Sequence, residues 1–244
     1  MNHGALWASL EEFIESLPLD LHGYAAVEGL FAGQWERWPR AISVGVALPT
    51  VIMKDVTEGP TAEYYESYHQ ANARLNHEVK ALERWLQNRG YNAEAFPATV
   101  TLEELNAHLG EGLTAPVQHK TVATRAGLGW IGKSGLLITR RYGPRVRLAT
   151  VFTDMPLPPA ERVEDSQCGS CVRCVESCPA GAIRGAAWRV GMSREELVDV
   201  RACERVAERL MLERVGQRDA VCGVCIAVCP FAGLSPEGTA HERA

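Results

Sequence analysis

The chain has 244 residues, and its 46% of hydrophobic and 23% of charged residues are typical of a folded globular protein. A formal net charge of −5 at pH 7 argues against a broad nucleic-acid-binding surface. The N-terminus lacks the basic start and apolar stretch of a signal peptide, and no apolar run is long enough to cross a bilayer. We therefore expect a cytoplasmic protein with no membrane partner.

The first two-thirds of the chain predict a mixed α/β region. Residues 5–16 have helical periodicity, and residues 41–48 have the unbroken apolar character of a buried strand. A long helix is predicted over residues 61–89, where Thr61 can cap the start and Gly90 supplies the stop. A capping box at residues 101–104 predicts a short helix after it.

Two further strands are predicted before the chain changes character. Residues 119–126 have a helical pattern, and a glycine-rich loop follows them. Residues 136–140 and 146–153 predict strands that the turn at 141–145 joins as a hairpin. A proline-rich seam follows at 154–167. We therefore expect an α/β domain over residues 1–160 and a cysteine-rich domain over residues 161–244.

All eight cysteines follow residue 167, and in a reducing compartment such a cluster favours a metal centre over disulfides. The first run has the spacing C-x2-C-x2-C-x3-C-P, and the second has C-x2-C-x3-C-P. In proteins with two [4Fe–4S] clusters, the last cysteine of each such run ligates the other cluster. The first cluster would then take Cys168, Cys171, Cys174 and Cys229, and the second would take Cys178, Cys222 and Cys225.

This assignment leaves the second cluster one ligand short. A bacterial ferredoxin would place the missing cysteine at position 219, which is an aspartate here. Cys203 is the one cysteine not yet assigned, and its segment can form a helix beside the second run, so we predict that it completes the cluster. Alternatives stay open at this point: Cys203 as an ordinary buried thiol with water or Asp219 on the fourth iron, zinc at the C-x2-C pairs, or a disulfide framework.

The loop at residues 127–134, GLGWIGKS, matches the phosphate-binding pattern G-x4-G-K-[ST]. Nucleotide binding by that pattern requires a strand before the loop and a helix after it, so that the helix N-terminus meets the phosphates. Here the predicted helix comes first and the predicted strand comes second. We therefore expect the glycines to allow a close approach to some other flat or anionic group, or to form a tight turn.

Several motifs together resemble the epoxyqueuosine reductases, which are relatives of the reductive dehalogenases. They are AGLGWIGK at 126–133, LLITR at 136–140, VFTD at 151–154, both cysteine runs, and VDVRAC ending at Cys203. The resemblance implies an α+β protein in which a corrinoid-binding N-terminal domain of nitroreductase-like fold precedes a ferredoxin-like domain with two [4Fe–4S] clusters. It also implies that Cys203 completes the second cluster.

The chain departs from this family at two places. The aspartate that the resemblance implies as the proton donor to the substrate aligns with Leu113, and a leucine cannot donate a proton. The helical repeats that help full-length relatives to hold tRNA are not expected, because Ala244 ends the sequence fifteen residues after Cys229. The sequence therefore predicts a short form of the family for which tRNA is not an expected partner.

If a corrinoid binds, the glycine-rich loop is the predicted contact. Its cofactor-binding residues would be Gly127, Gly129, Trp130, Gly132 and Lys133, although Trp130 could also anchor the loop and Lys133 could be solvated. His119 is the candidate replacement for the missing acid, because an imidazole titrates near neutral pH. A histidine at a helix N-terminus or on the surface is the alternative for this residue.

The sequence thus predicts an iron–sulfur oxidoreductase, a cobalamin-dependent reductase of an unidentified substrate. An external donor such as ferredoxin or flavodoxin would reduce the clusters, which would pass electrons to the corrinoid that reduces a small molecule. An electron-transfer protein or a reductive activator of a corrinoid protein, with no substrate turnover of its own, is the alternative. A less favoured alternative is a true epoxyqueuosine reductase.

Overall fold

The computed structural model describes residues 3–99 and 115–232, which form two compact units. The first contains residues 3–47, 69–99, 115–129 and 147–163, and the second contains residues 48–68, 130–146 and 164–232. In chain order the helices and strands are α1 (His3–Ser16), β1 (Leu21–Ala26), β2 (Arg40–Ala47), α2 (Thr50–Met53), α3 (Ala62–Gln87), β3 (Ala93–Phe96), α4 (His119–Arg125), β4 (Gly129–Ile131), β5 (Leu137–Thr139), β6 (Val146–Thr153), α5 (Arg173–Glu176), α6 (Val200–Val215) and α7 (Val224–Ala227). The predicted capping box at 101–104 and Leu113 lie outside the described residues.

The first unit is built on a four-stranded sheet with the strand order β1-β2-β6-β3. Strands β1 and β2 are antiparallel, as are β3 and β6. An aromatic cluster forms much of this unit's core: Phe152 is fully buried, and its ring centroid lies 5.1 Å from that of Trp35 and 5.6 Å from that of Phe31. The predicted helix at 5–16 and the buried strand at 41–48 are confirmed by α1 and β2.

The predicted long helix is confirmed by α3. The backbone N–H of Tyr64 donates to Thr61 Oγ1 at 3.1 Å, as expected of a cap, and Gly90 adopts φ 86° just after the helix. The division between the two units falls within α3, after Tyr68. Because a helix of this length has a single periodicity from end to end, nothing in the sequence marks that division.

The predicted hairpin between residues 136–140 and 146–153 is wrong. Strand β5 pairs with β4 in a two-stranded sheet, whereas β6 lies in the four-stranded sheet. The actual hairpin turns at residues 132–135, where Gly135 N–H donates to the Gly132 carbonyl at 2.8 Å. The segment 139–143 forms its own tight loop, in which Thr139 and Gly143 exchange two backbone hydrogen bonds of 2.9 Å. A strand with turn residues on both sides can form a hairpin with the strand before it or with the strand after it. Strand β5 pairs with the strand before it.

Gly143 shows why this second loop needs glycine. Its φ is 54°, and a Cβ at this position would lie 2.5 Å from the backbone carbonyl of Phe231. The next basic residue along, Arg145, holds the same C-terminal segment: its Nε donates to the Ala232 carbonyl at 3.0 Å and its Nη1 to the Leu48 carbonyl at 2.7 Å. Residues 48 and 139–145 are thereby joined to the end of the second cysteine run within one unit.

No helix among the described residues has the length and apolar character needed to span a membrane.

Candidate metal centre

All eight cysteines lie in the second unit, and each is a free, half-buried thiol. The two cysteine runs fold into matching short helices: α5 carries Cys174 and α7 carries Cys225, and the two helices pack against each other. Each helix is a single turn, because the runs have too few residues between cysteines for anything longer. The fold therefore brings together thiols that are about fifty residues apart in sequence.

The electrostatic coupling among the thiols can be compared with the ligand sets predicted for the two clusters. Burial raises the pKa of Cys174, and the nearby Cys168 and Cys171 raise it further. Burial raises the pKa of Cys229 to about 12, and the nearby thiols of Cys168, Cys174 and Cys171 add to the rise. These couplings agree with the ligand set predicted for the first cluster, Cys168, Cys171, Cys174 and Cys229, which is called the first group below.

The ligand set predicted for the second cluster contains the isolated cysteine. Cys203 lies in the first turn of α6, whose N-terminus is capped by the Asp199 side chain, which accepts a hydrogen bond of 2.9 Å from Ala202 N–H. Burial raises the pKa of Cys203, and the next causes are Cys178 and Cys222. Burial also raises the pKa of Cys225 above its usual range, and the further causes are Cys222, Cys203, Cys174 and Cys178, so Cys225 is coupled to thiols of both predicted sets. The ligand set predicted for the second cluster, Cys178, Cys203, Cys222 and Cys225, is called the second group below.

Asp219, the residue at the usual ferredoxin cysteine position, has other partners. Its Oδ1 accepts a hydrogen bond of 2.8 Å from Ala220 N–H, and its Oδ2 accepts one of 3.4 Å from the Tyr65 hydroxyl. Both carboxylate oxygens therefore hold the loop that enters the second cysteine run. Cys203, the predicted fourth ligand, is coupled by charge to Cys178 and Cys222.

The first group surrounds a cavity that the β4–β5 hairpin closes on one side. The cavity is lined by Gly132, Lys133, Ser134, Ile138, Cys168, Cys171, Cys174, Cys225, Cys229, Pro230 and Phe231. A Cβ at Gly132 would lie 2.8 Å from Ile138 Cγ1 and 3.5 Å from Cys168 Sγ, so the hairpin approaches the thiols as closely as it does because this residue is glycine. Among the described residues, no three His, Cys, Asp or Glu side chains converge as ligands of a single metal ion would.

The five residues predicted to contact a corrinoid have protein partners in the structure. A Cβ at Gly127 would lie 2.8 Å from the Glu161 carbonyl oxygen, so the chain itself fills that space. Trp130 is 2% exposed and its ring packs edge-on against Phe231 at 5.1 Å, while Gly129 begins β4. The predicted contact of Gly127, Gly129, Trp130, Gly132 and Lys133 with a corrinoid stays a prediction.

His119 has partners on both ring nitrogens. Its Nε2 lies 2.9 Å from the Pro97 carbonyl oxygen, which can only accept, so Nε2 carries the proton and donates. Its Nδ1 lies 2.8 Å from Thr150 Oγ1 and accepts from that hydroxyl. Burial lowers the pKa of His119 to about 4, and the Arg147 guanidinium contributes to the lowering. The ring is therefore neutral at neutral pH and bridges two segments of the first unit. Its predicted role as an acid stays a prediction.

Sequence reasoning missed that residues of the α/β region line the thiol groups. Gly132, Ser134 and Ile138 of the hairpin belong to the second unit, as does the segment before α3. A Cβ at Gly223, between two cysteines of the second run, would lie 2.6 Å from Tyr64 Cε1. The glycine-rich composition of the hairpin was the signal that could have located it, since it already predicted close approach to an anionic group.

Comparison with known proteins agrees with this geometry. Residues 167–232 match the 4Fe-4S double cluster binding domain, a range that contains all eight cysteines. Over 140 residues, the chain is 33% identical to an epoxyqueuosine reductase of Bacillus anthracis; the match covers 53% of this chain and 36% of that protein. In sequence the chain is similar to the epoxyqueuosine reductases, and it contains a match to an iron–sulfur cluster binding domain. It matches only about a third of that relative's length.

Solved structures show the same fold. An epoxyqueuosine reductase solved with an epoxyqueuosine-modified tRNA stem loop matches 96% of this chain and 68% of its own with a TM-score of 0.64 and 19% identity. A reductive dehalogenase whose structure was described as suggesting a mechanism for B12-dependent dehalogenation matches 91% of this chain and 31% of its own, with a TM-score of 0.67 and 17% identity. The chain therefore has the mixed helix-and-sheet fold of this epoxyqueuosine reductase-like group, as predicted from its motifs.

Proposed function

We propose that the chain is an iron–sulfur oxidoreductase in which two [4Fe–4S] clusters relay electrons from an external donor, such as ferredoxin or flavodoxin, to an acceptor at the first unit. The observation that supports this proposal is that all eight cysteines lie within a match to a 4Fe-4S double cluster binding domain and that Cys203 is coupled by charge to Cys178 and Cys222. A four-iron cluster takes one thiolate at each iron, so each group provides a complete ligand set.

The cluster sites fit the residues present, and the chain's own contribution can be stated. The buried thiols must give up their protons to bind iron, so assembly releases protons and depends on pH. Backbone amides can then stabilise the bound sulfur atoms: Ala182 N–H already donates to Cys178 Sγ at 3.4 Å. The hairpin and Phe231 cover one side of the first group and limit its contact with water. The clusters, when bound, supply one-electron transfer.

A corrinoid is our candidate acceptor, on the ground of the fold shared with a protein described in terms of B12-dependent dehalogenation. The glycine-rich loop residues predicted to contact it do not form an open cradle. At Gly127 and Gly132, protein atoms fill the space that a side chain would occupy, and Trp130 is buried. We therefore derive no step through a corrinoid, and its binding is a question for experiment.

Epoxide reduction on tRNA is the second candidate function. The curated relatives that match the chain are epoxyqueuosine reductases, and a solved relative holds a tRNA stem loop. The expectation that tRNA is not a partner is therefore unsupported by the comparisons. A tRNA substrate and a small-molecule substrate both require the same two clusters, so they differ in what the first unit binds.

The proposal is tested by counting electrons. Anaerobically purified protein is titrated with a low-potential one-electron reductant while its visible absorbance and electron paramagnetic resonance are followed. We expect about two electrons per chain and two cluster signals, since each cluster accepts one electron. Uptake of only one electron would refute the two-cluster relay.

The acceptor is tested on the same preparation. Cobalamin and an epoxyqueuosine-modified tRNA stem loop are each offered, and binding is measured by gel filtration under anaerobic conditions. Retention of cobalamin near one per chain supports the reductase with a corrinoid. Retention of the stem loop supports the tRNA function. Retention of neither identifies an electron-transfer protein or reductive activator.

A further inference from the structure

Lys133 is a buried cation in the second unit. It lies in the turn of the β4–β5 hairpin, is only 7% exposed, and its Nζ donates a hydrogen bond of 2.9 Å to the carbonyl oxygen of Gly169, which follows the first cysteine. Enclosing an ammonium group removes its hydration, and this is costly unless negative charge compensates for it. Among the described residues, that carbonyl is the one hydrogen-bond acceptor of its Nζ, which has three donors.

Within the described part of the chain, Lys133 has no carboxylate partner. Across residues 3–99 and 115–232, no Asp or Glu oxygen lies within 4.0 Å of its Nζ. Lys133 does line the cavity that the first group of thiols surrounds. Five cysteines line the same cavity, and four of them, Cys168, Cys171, Cys174 and Cys229, form the first group. These side chains become negatively charged thiolates when they bind a cluster.

We propose that Lys133 raises the reduction potential of the cluster held by Cys168, Cys171, Cys174 and Cys229. One-electron reduction, with the electron coming from the external low-potential donor, makes the cluster and its thiolates more negative by one charge and breaks no bond. A fixed positive charge beside the cluster stabilises the more negative, reduced state. Loss of that charge shifts the equilibrium towards the oxidised cluster.

The inference rests on the proposed assignment of the first cluster and adds a role for the hairpin lysine. An exposed lysine would have little effect, because water and salt screen its charge. Lys133 is enclosed, and Gly132 beside it brings the turn within contact distance of Cys168. The glycine and the lysine together thus place a charge where screening is weak.

Three substitutions separate the charge of Lys133 from its hydrogen bond. Lys133→Gln removes the charge and keeps a donor for the Gly169 carbonyl, Lys133→Met removes both, and Lys133→Arg keeps the charge. Lys54→Met is the matched control, since Lys54 is an exposed lysine of the same unit and its removal changes net charge equally. The readout is a potentiometric titration followed by electron paramagnetic resonance, with iron content measured on each sample.

We expect Lys133→Gln and Lys133→Met to lower the equilibrium constant for reduction of one cluster by about tenfold, equivalent to about 59 mV, and to leave the other cluster unchanged. Lys133→Arg and Lys54→Met should titrate like the unmodified protein. Unchanged potentials in both neutral variants at full iron content would overturn the proposal. So would loss of the cluster from both neutral variants but not from Lys133→Arg, because that result assigns a structural role. Absence of iron from the unmodified protein would instead refute the cluster assignment itself.

Discussion

The half-buried histidine of the first unit, His119, gives a quantitative prediction about stability and pH. His119 has its pKa lowered from 6.5 to about 4 in the folded chain, because burial and the Arg147 guanidinium both disfavour the charged ring. The unfolded chain therefore binds a proton at a higher pH than the folded chain does. The stability that the neutral ring contributes is complete above pH 6.5 and is lost as the pH falls towards 4.

The size of the effect follows from the two pKa values. Between pH 7 and pH 5, protonation of His119 in the unfolded chain alone should lower the free energy of unfolding by about 2 kcal/mol. The full difference below pH 4 is roughly 3 kcal/mol, since each pKa unit corresponds to about 1.4 kcal/mol. His119→Gln removes the titrating group and keeps a neutral side chain that can donate to the Pro97 carbonyl and accept from Thr150.

The assay compares the two proteins at each pH. Urea unfolding followed by tryptophan emission, without oxygen, gives a free energy of unfolding for both, and the difference cancels acid effects elsewhere in the chain. We expect the unmodified protein to lose about 2 kcal/mol more than His119→Gln between pH 7 and pH 5. Parallel losses in the two proteins would refute the reasoning and would mean that the ring is not held neutral.

Two further predictions concern the second unit. Cys203→Ser should remove one cluster signal and about half of the iron, whereas Asp219→Asn should keep both clusters, as iron analysis and electron paramagnetic resonance can determine; the reverse pattern would make Asp219 the ligand. Gly143→Ala should destabilise the fold by clearly more than the ~1–2 kcal/mol expected for a positive φ alone, because its Cβ would lie 2.5 Å from the Phe231 backbone. Gly29→Ala, with φ 69° and nothing within 4 Å, is the control, and equal losses of thermal stability would contradict the steric argument.

The sequence predicted well the features that depend on spacing along the chain. The ends of α3 follow from Thr61 and Gly90, whereas the assignment of the cysteines to two clusters stays a prediction. The order of elements around the loop at residues 127–134 is also as predicted, and it is not the order of a nucleotide-binding loop: helix α4 precedes this loop, and strand β5 follows it. Each of these features is decided by residues within a few turns of one another.

The features that sequence missed depend on contacts between distant segments. Strand β5 pairs with β4 because β6 belongs to the four-stranded sheet. The composition of the turns does not indicate which strands the sheet contains. The approach of Gly223 to Tyr64 joins the start of α3 to the second cysteine run, although more than 150 residues separate them. The burial of Lys133 depends likewise on the Gly169 carbonyl, and no local pattern marks that partner.

Iron and acid-labile sulfide per chain, measured together with zinc on anaerobically purified protein, test the central claim most directly. Two complete sets of four thiolates predict about eight irons and about eight sulfides per chain, with no stoichiometric zinc. About four irons per chain, or zinc in place of iron, would contradict the assignment of the eight cysteines to two clusters and with it the electron relay.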